Sequence, residues 1–327
     1  MDLALSPSAP GLGVNDLADL CRFAEELGYR HAWLSEVAGP DAFVLAAAAA
    51  FRTSVMDFGV AVVPAYTRTP TALATAAASV SQVLSGRSFA LGIGSSSETI
   101  VSSWHGLEFQ LPRTRVLETV QAVRAALTGD GTYQGTTVSM SRFRLASPAV
   151  GPVPIYIGAL RPRMLEVAGG YADGVCLNLM PPRVVDRQLA AVRQGAAAVG
   201  RVLPSDYGVM ARLQAVVTDD VSGARQFLRD NFIGPYFAQP VYNRFLSWMG
   251  YPEEAAAIAA GWASRDREAV ARATHDRLID DIALIGTAPI VKERLEEFAA
   301  AGLTVAALMV MSPSRVVVED TLRALAP

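Results

Sequence analysis

Cysteine and histidine are both scarce in this sequence, which contains two cysteines and three histidines among 327 residues. Cys21 and Cys176 lie far apart, each within an apolar run. We therefore interpret both as small core residues of a protein in a reducing compartment. The histidines are too few and too scattered to indicate a histidine-rich metal site, and we predict no bound metal.

An excess of positive charge is also lacking. The formal net charge is −3 at pH 7, whereas a nucleic-acid-binding domain normally carries a basic patch or stripe. The composition therefore disfavours nucleic acid as a partner. Because 51% of the residues are hydrophobic and only 18% are charged, a chain of this length can bury a large core.

Long hydrophobic runs are missing as well. The longest, Ala42–Phe51, lies between Asp41 and Arg52 and is far shorter than the roughly 20 residues that cross a bilayer. The first residues lack a basic segment followed by an apolar one, which is typical of a secretion signal. We expect a cytoplasmic protein that does not contact a membrane.

What the sequence does contain is a regular alternation of strand-like and helical segments. Predicted strands begin at Leu3, His31, Val55, Ser88, Val153, Asp173, Tyr207 and Thr304. Predicted helices cover Asn15–Leu27, Pro40–Ala50, Pro70–Leu84, Arg113–Leu127, Arg163–Tyr171, Pro182–Ala198 and Ile290–Ala301, before a closing helix. Strands followed by helices predict an α/β fold with a parallel sheet, and eight of them at this length favour a (β/α)8 (TIM) barrel.

We expect residues 1–327 to form one barrel domain. A long helical segment, about 221–273, is predicted as an insertion near the last strands. Residues 132–145 alternate as in an exposed hairpin.

The C-terminal strand ends are where such a barrel places its chemistry. These ends are rich in small residues and hydroxyls and poor in acid–base pairs. They are Ser35–Val37, Val62–Tyr66, Gly92–Ser97, Gly158–Arg161, Leu177–Asn178, Arg212 and Ser312. This composition is typical of a site for a flat, anionic, phosphate-bearing cofactor and not of a hydrolase.

Two glycine-containing segments are the main candidates for cofactor contact. In GIGSSS, residues 92–97, unhindered backbone N–H groups and three hydroxyls suit a phosphate or ring carbonyl; a plain turn is the alternative. In GALRPRML a helix begins at Pro162, with Arg161 and Arg163 beside its N-terminus. Surface arginines at a helix start are the alternative there.

Other segments leave two interpretations open. Glu36 follows a strand, and it is interpreted either as a proton-transfer group or as a helix-capping acid. His105 follows the serine loop, where packing is favoured over catalysis. The strand that ends at Pro64 has small residues that would let a planar ring approach, or it is simply a core strand. An aromatic patch in the insertion fits either a core or a lid over a substrate pocket: Tyr236, Phe237, Tyr242, Phe245, Trp248 and Tyr251.

Three longer segments together resemble one known family. LGIGSSSETIVSSWHGLEF, PVPIYIGALRPRMLEVAGGYADGVCLN and LIDDIALIGT are similar to segments of the bacterial-luciferase-like oxidoreductases. More narrowly, they resemble the branch that uses the deazaflavin coenzyme F420 and includes methylenetetrahydromethanopterin reductase. The resemblance covers nearly the whole chain in the same order and implies a (β/α)8 barrel with an insertion near the last strands.

The resemblance also implies roles for particular residues. A non-proline cis peptide is expected at Ala61–Val62, behind the central cofactor ring. Gly92–Ser97 resembles the segment that contacts this ring and its side chain, and Gly158–Arg161 and Cys176–Asn178 resemble segments near the ribityl phosphate. The cofactor-binding candidates are Glu36, Val37, Ala61, Val62, Val63, Gly92, Ile93, Gly94, Ser95, Ser96, Gly158, Ala159, Leu160, Arg161, Cys176 and Asn178.

One departure concerns proton transfer. Several relatives have an acid followed by histidine at the end of the second strand, whereas Val37 follows Glu36 here. This casts doubt on a sugar-dehydrogenase activity. Glu36 is then the main catalytic candidate, with His105 and His275 as weaker ones.

The resemblance implies an F420-dependent oxidoreductase that transfers a hydride between the deazaflavin C5 and a C=C, C=N or C=O bond of a small molecule. An FMN-dependent monooxygenase on the same barrel is the first alternative. A barrel that binds cofactor without turnover is the second. The aromatic insertion suggests a partly apolar or planar substrate, and family analogy alone suggests a homodimer.

Overall fold

Parallel strands surrounded by helices form the computed structural model, which describes residues 1–8 and 11–327. The strands are β1 Asp2–Leu5, β2 His31–Leu34, β3 Asp57–Pro64, β4 Phe89–Gly94, β5 Tyr133–Gln134, β6 Ser139–Met140, β7 Ile155–Gly158, β8 Gly174–Asn178, β9 Gly208–Val217, β10 Leu284–Gly286 and β11 Val305–Met309. The helices that cover the sheet are α1 Val14–Glu26, α2 Ala42–Ala50, α3 Pro70–Leu84, α4 Pro112–Thr128, α5 Pro162–Tyr171, α6 Pro182–Ala198, α12 Asp276–Ile282, α13 Ala288–Ala300 and α14 Arg315–Ala324. Between β9 and α12 the chain forms α7 Val221–Leu228, α8 Gly234–Ala238, α9 Pro240–Trp248, α10 Pro252–Ala263 and α11 Arg267–Ala273.

Eight of the strands close into a barrel. They follow the order β9-β11-β1-β2-β3-β4-β7-β8, and β8 pairs back with β9, with every pairing parallel. Closure leaves no free edge in this ring, and the helices cover its outside. The predicted (β/α)8 barrel is confirmed.

Strand β9 serves two sheets because it is longer than its neighbours. Its first residues pair with β8 and β11, while Ala215–Val217 continue beyond the barrel and pair with β10. The strand is buried along nearly all its length, as its apolar composition predicts for a parallel strand covered on both sides. The three-residue strand β10 was not predicted, since so short a segment has no periodicity of its own.

Strand β3 begins at Asp57, two residues later than predicted. The backbone N–H groups of Ser54, Val55 and Met56 donate to the carboxylate of Glu25 instead of to a neighbouring strand. Burial raises the pKa of Glu25, but these three hydrogen bonds and the nearby charge of Arg87 outweigh it, and the net shift is downward.

The predicted hairpin is shorter than the sequence pattern indicates. Only Tyr133–Gln134 and Ser139–Met140 pair, as antiparallel β5 and β6. The connection between them is held from outside, because the Glu118 carboxylate accepts hydrogen bonds from the backbone of Thr136, Thr137 and Val138. The hydrogen bonds from the turn to this one buried acid take the place of further pairing between the two strands.

The barrel interior is filled at only one end. The interior cluster contains Ala4, Trp33, Cys176, Met210 and Ala307. Trp33 meets the ring of Tyr156 edge-on, with 5.0 Å between ring centroids. Glycines make room for both rings: a Cβ on Gly59 would lie 2.5 Å from Trp33, and one on Gly208 1.9 Å from the Tyr156 hydroxyl. The opposite end, where the strands finish, stays open.

Helices α5 and α6 pack unusually close to each other. A Cβ on Gly169 would lie 1.8 Å from the carbonyl oxygen of Val192, and one on Gly195 would lie 2.0 Å from that of Glu166. Both contacts are with backbone, which cannot swing away as a flexible side chain can.

In the described residues no helix is long and apolar enough to cross a membrane.

We expect Gly195→Ala to lower the free energy of unfolding by roughly 1–3 kcal/mol, because overpacking forces the two helices apart. Urea denaturation followed by circular dichroism measures the change. Gln194→Ala, at an exposed position of the same helix, is the matched control and should be neutral or slightly stabilising. Equal stability of the two variants would show that the close approach of the helices is not required.

Candidate active site

A large cavity lies at the C-terminal ends of the barrel strands. Its volume is about 1290 Å³, and its wall is formed by the ends of β2, β3, β4, β7, β8 and β9 together with α8 and α9. This is the end at which the chemistry of a (β/α)8 barrel is expected. The interior cluster closes the cavity from below.

The side chain of Val62 forms part of the cavity wall and lies beside three glycines, Gly92, Gly94 and Gly158. The peptide bond Ala61–Val62 is cis, as the resemblance implied, and the pairing of β3 with β4 shifts register between Val60 and Val63. A Cβ on Gly94 would lie 2.5 Å from Val62 Cγ2, and one on Gly158 would lie 3.1 Å from Val62 Cγ1. Because Gly94 and Gly158 have no side chains, there is room for the Val62 side chain. The surfaces of β4 and β7 beside it therefore stay smooth.

Most of the predicted cofactor-binding residues do line this cavity. They are Glu36, Val37, Ala61, Val62, Gly94, Ser95, Ser96, Gly158, Ala159, Leu160, Arg161, Cys176 and Asn178. They come from five separate strand ends, and the barrel alone brings them together.

Val63, Gly92 and Ile93 were also predicted to bind the cofactor, but they are not among the lining residues of the cavity. Val63 and Ile93 are fully buried and pair with each other across β3 and β4. Side chains alternate along a strand, so these two point away from the barrel interior, toward the helices. A Cβ on Gly92 would lie 2.0 Å from the Val60 carbonyl oxygen; this glycine is needed for close strand packing.

The serine loop continues into a short π-helical turn, Thr99–Trp104. Ser96 has a left-handed backbone with φ of 59°. The Ser97 hydroxyl accepts a hydrogen bond from the backbone N–H of Ile100 at 3.3 Å, so part of the hydroxyl set stabilises the loop itself. Trp104 lines the cavity and remains 54% exposed, which places an aromatic face at the cavity mouth.

Neither candidate histidine belongs to the cavity wall. His105 ends the π-helical turn with an exposed side chain. His275 caps α12, where Nδ1 accepts from the backbone N–H of Leu278, and its Nε2 lies 3.3 Å from Glu254. The fold thus directs both rings away from the cavity, which the sequence around them does not reveal.

The carboxylate of Glu36 lines the cavity but is already engaged. Arg68 contacts both of its oxygens, with 3.0 Å between Nη2 and Oε2, and the backbone N–H of Ala42 donates to Oε2 at 3.0 Å. Arg68 also pairs with Asp41. Burial lowers the pKa of Arg68, but the two carboxylates outweigh it and the net shift is upward. Sequence analysis missed Arg68, although it follows a strand end at Pro64.

Three arginines gather where α5 begins. Burial lowers the pKa of Arg161, and the neighbouring charges of Arg244 and Arg163 lower it further. All three line the cavity, and within the described part of the chain none forms an ion pair with an acid. Helix α5 begins here at Pro162 without a side-chain cap. Positive charge and free backbone N–H groups make this an anion-binding position. Arg244, which comes from α9, was not predicted.

The aromatic patch of the insertion divides into two functions. Phe237 and Phe245 are fully buried core residues, whereas Tyr236, Tyr242 and Trp248 line the cavity. Arg187 lies over the Trp248 ring at 3.3 Å from its centroid and anchors α9 to α6. The patch therefore contributes to both the core and the cavity wall, and its role as a lid over a substrate pocket stays a prediction.

Polar side chains also meet deeper in the cavity. Asn178 Nδ2 donates to the Tyr242 hydroxyl at 3.3 Å, and Gln214 Nε2 donates to Asn178 Oδ1 at 3.3 Å. Arg212 from β9 lines the same region. Across residues 1–8 and 11–327, no group of three or more histidine, cysteine, aspartate and glutamate side chains is arranged to hold a metal ion.

Comparison with known proteins agrees with this architecture. Residues 2–305 match the luciferase-like monooxygenase family. A Mycobacterium tuberculosis protein assigned as a coenzyme F420-dependent oxidoreductase is 27% identical over 315 residues, 88% of each chain. The 5,10-methylenetetrahydromethanopterin reductase of Methanolobus tindarius is 26% identical over 302 residues, 91% of this chain and 90% of its own.

The solved structures include one with nearly the same fold. The coenzyme F420-dependent tetrahydromethanopterin reductase of Methanopyrus kandleri superposes with a TM-score of 0.83 at 22% identity, covering 99% of this chain and 97% of its own. The family match extends over most of the chain and confirms the resemblance seen in the motifs. The chain belongs to the luciferase-like monooxygenase family.

Proposed function

We propose that this protein is an F420-dependent oxidoreductase that transfers a hydride between the deazaflavin C5 and a C=C, C=N or C=O bond of a small organic molecule. The observation that carries the proposal is the cavity at the strand ends. Val62 and its neighbouring glycines form part of the wall, and the arginines at the start of α5 have no acidic partner among the described residues. Relatives whose names refer to coenzyme F420 support the choice of cofactor.

The residues present fit such a cofactor. A ring system can lie against Val62 and the adjoining glycine backbone, because no side chain at Gly94 or Gly158 stands in its way. A phosphate matches the start of α5 with Arg161, Arg163 and Arg244. The volume of about 1290 Å³ exceeds the roughly 300–1,000 Å³ of ordinary ligand pockets, so cofactor and substrate can share it.

When bound, the deazaflavin supplies a hydride donor or acceptor at C5. The chain's own contribution is positioning and exclusion of water. Tyr236, Tyr242 and Trp248 of the insertion form the apolar wall that faces the strand ends. Such a wall keeps water from the reacting atoms and presents an aromatic surface to a planar substrate.

Glu36 was predicted to transfer a proton, and its engagement by Arg68 bears on that role. Arg68 contacts both oxygens of this carboxylate, so proton transfer by Glu36 would first require that contact to break. We propose that Glu36 acts mainly through Arg68, by holding the end of β2 and the start of α2 in place.

The homodimer, which only family analogy implies, stays a prediction.

We expect F420 to bind with micromolar affinity and FMN at least about tenfold more weakly, a difference of about 1.4 kcal/mol. Tryptophan fluorescence reports binding, because Trp104 and Trp248 line the cavity. Arg161→Gln should weaken F420 binding about 10- to 100-fold, since a hydrogen bond to a charged group contributes about 1.5–3 kcal/mol. Arg193→Gln, on exposed α6 surface, is the matched control and should bind as the unsubstituted protein does.

The titration separates the deazaflavin proposal from the FMN monooxygenase. Preference for FMN would favour the monooxygenase and contradict the deazaflavin proposal. Binding of neither cofactor would make the serine loop a turn without a cofactor role. An unchanged affinity in Arg161→Gln, with F420 still bound, would remove the phosphate from the start of α5.

A double-mutant cycle decides whether Glu36 is committed to Arg68. We expect Glu36→Gln and Arg68→Gln each to destabilise the protein, and the double variant to lose about 1–3 kcal/mol less than their sum, because they remove the same interaction. Urea denaturation measures all four proteins. The exposed pair Arg22 and Glu26 gives the control cycle, with an expected coupling below about 0.5 kcal/mol. Additive losses at Glu36 and Arg68 would leave the carboxylate free for proton transfer.

A further inference from the structure

Arg212 is the one arginine that β9 turns toward the barrel interior. It lies in register with Asn178 of β8 and Ala307 of β11. Met210, two residues earlier on the same face, belongs to the interior cluster that closes the cavity from below. Arg212 is only 9% exposed and lines the cavity, so its charge sits just above the closed end.

No side chain in the described ranges, 1–8 and 11–327, forms a hydrogen bond or an ion pair with Arg212. Two acids are among the lining residues of the cavity. Glu36 is engaged by Arg68, and Glu98 is exposed. Gln214 does not accept from it, since its Oε1 is buried without a partner. A buried charge without a partner costs several kcal/mol, so proteins rarely keep one without a use.

The groups around Arg212 are donors or neutral. Burial raises the pKa of the Cys176 thiol, although the charge of Arg212 acts in the opposite direction, so this thiol stays protonated. Burial also raises the pKa of Tyr242. The Tyr242 oxygen accepts a hydrogen bond from Asn178, which leaves the phenol proton available to a ligand. The site therefore offers a guanidinium and a hydroxyl donor, with no negative charge to balance them.

We propose that Arg212 and the Tyr242 hydroxyl form a carboxylate-binding subsite, and that the substrate of this enzyme is an organic acid anion. The subsite stands on the geometry of the cavity; its assignment to the substrate rests on the proposed function. A guanidinium binds a carboxylate through two parallel hydrogen bonds, and the phenol adds a third donor. One arginine and a neutral phenol match a single negative charge.

The two cationic regions of the cavity differ in their number of arginines. Arg161, Arg163 and Arg244 gather at the start of α5 and suit a phosphate. Arg212 stands apart from them on β9, above the interior cluster. A substrate with its carboxylate on Arg212 is oriented within the cavity, and a neutral analogue leaves a buried charge unpaired, which is a strong basis for discrimination.

The test uses benzoate and its neutral isostere benzamide as probes. Both are titrated by tryptophan fluorescence into the protein alone and into the protein saturated with F420. We expect benzoate to bind at least about tenfold more tightly than benzamide, Arg212→Met to abolish this preference, and Tyr242→Phe to reduce it. Arg193→Met, on the exposed surface of α6, should keep the full preference.

Two further measurements make the result decisive. Arg212→Met should raise the melting temperature of the ligand-free protein, because it removes an uncompensated buried charge; a lower melting temperature would mean that Arg212 has a structural partner. The dissociation constant of F420 should be unchanged in Arg212→Met. If it rises as much as that of benzoate, the occupant is an anionic group of the cofactor and the substrate assignment is wrong.

The remaining outcomes separate the subsite from the proposed function. Equal affinity for benzoate and benzamide in the unsubstituted protein overturns the subsite, whether or not F420 binds. A benzoate preference that depends on Arg212, in a protein that does not bind F420, supports the subsite and contradicts the cofactor proposal.

Discussion

The size of the side chains that point into the barrel is the constraint on which the rest of this structure depends. At the lower end Trp33, Tyr156 and Met210 fill the interior, and glycines on neighbouring strands make room for the rings. At the upper end Gly94 and Gly158 carry no side chain, so the interior opens into a cavity of about 1290 Å³. A barrel interior is normally a packed core along its whole length, whereas here only the lower end is packed.

The distribution of charge in that cavity follows from the same arrangement. The Glu36 carboxylate is neutralised by Arg68 at the wall, whereas the arginines at the start of α5 and Arg212 on β9 have no acid beside them in the described structure. The cavity therefore carries positive charge at two places. Of these arginines only Arg212 is buried, and a buried charge without a partner reduces stability.

The helical segment between β9 and β10 contributes to both the core and the cavity wall. Phe237 and Phe245 attach it to the core, while Tyr242 and Arg244, neighbours on α9, face the cavity. Helix α9 thus supplies the Tyr242 phenol to the polar side chains around Asn178 and the Arg244 cation to the arginines at the start of α5.

Local pattern was enough to predict most of the fold. Apolar runs followed by amphipathic helices identified all eight barrel strands, since both periodicities are properties of neighbouring residues. It failed where a distant side chain captured the backbone. Glu25 delays the start of β3, and Glu118 shortens the hairpin. Neither acid is marked by the sequence around it.

For the site, the sequence by itself determined which segments meet at the cavity, because parallel strands bring their C-terminal ends to one face of the barrel. Only the tertiary structure decided which side chains reach it. Val63 and Ile93 turn outward through strand alternation, and His105 is carried into solvent by the π-helical turn. Arg68 pairs with Glu36 from the loop after β3, and Arg244 reaches the cavity from α9. Contacts between segments distant in sequence have no local signature. The pairing of Glu36, and the lack of a partner for Arg212 among the residues that the structure describes, therefore appear only in the folded protein.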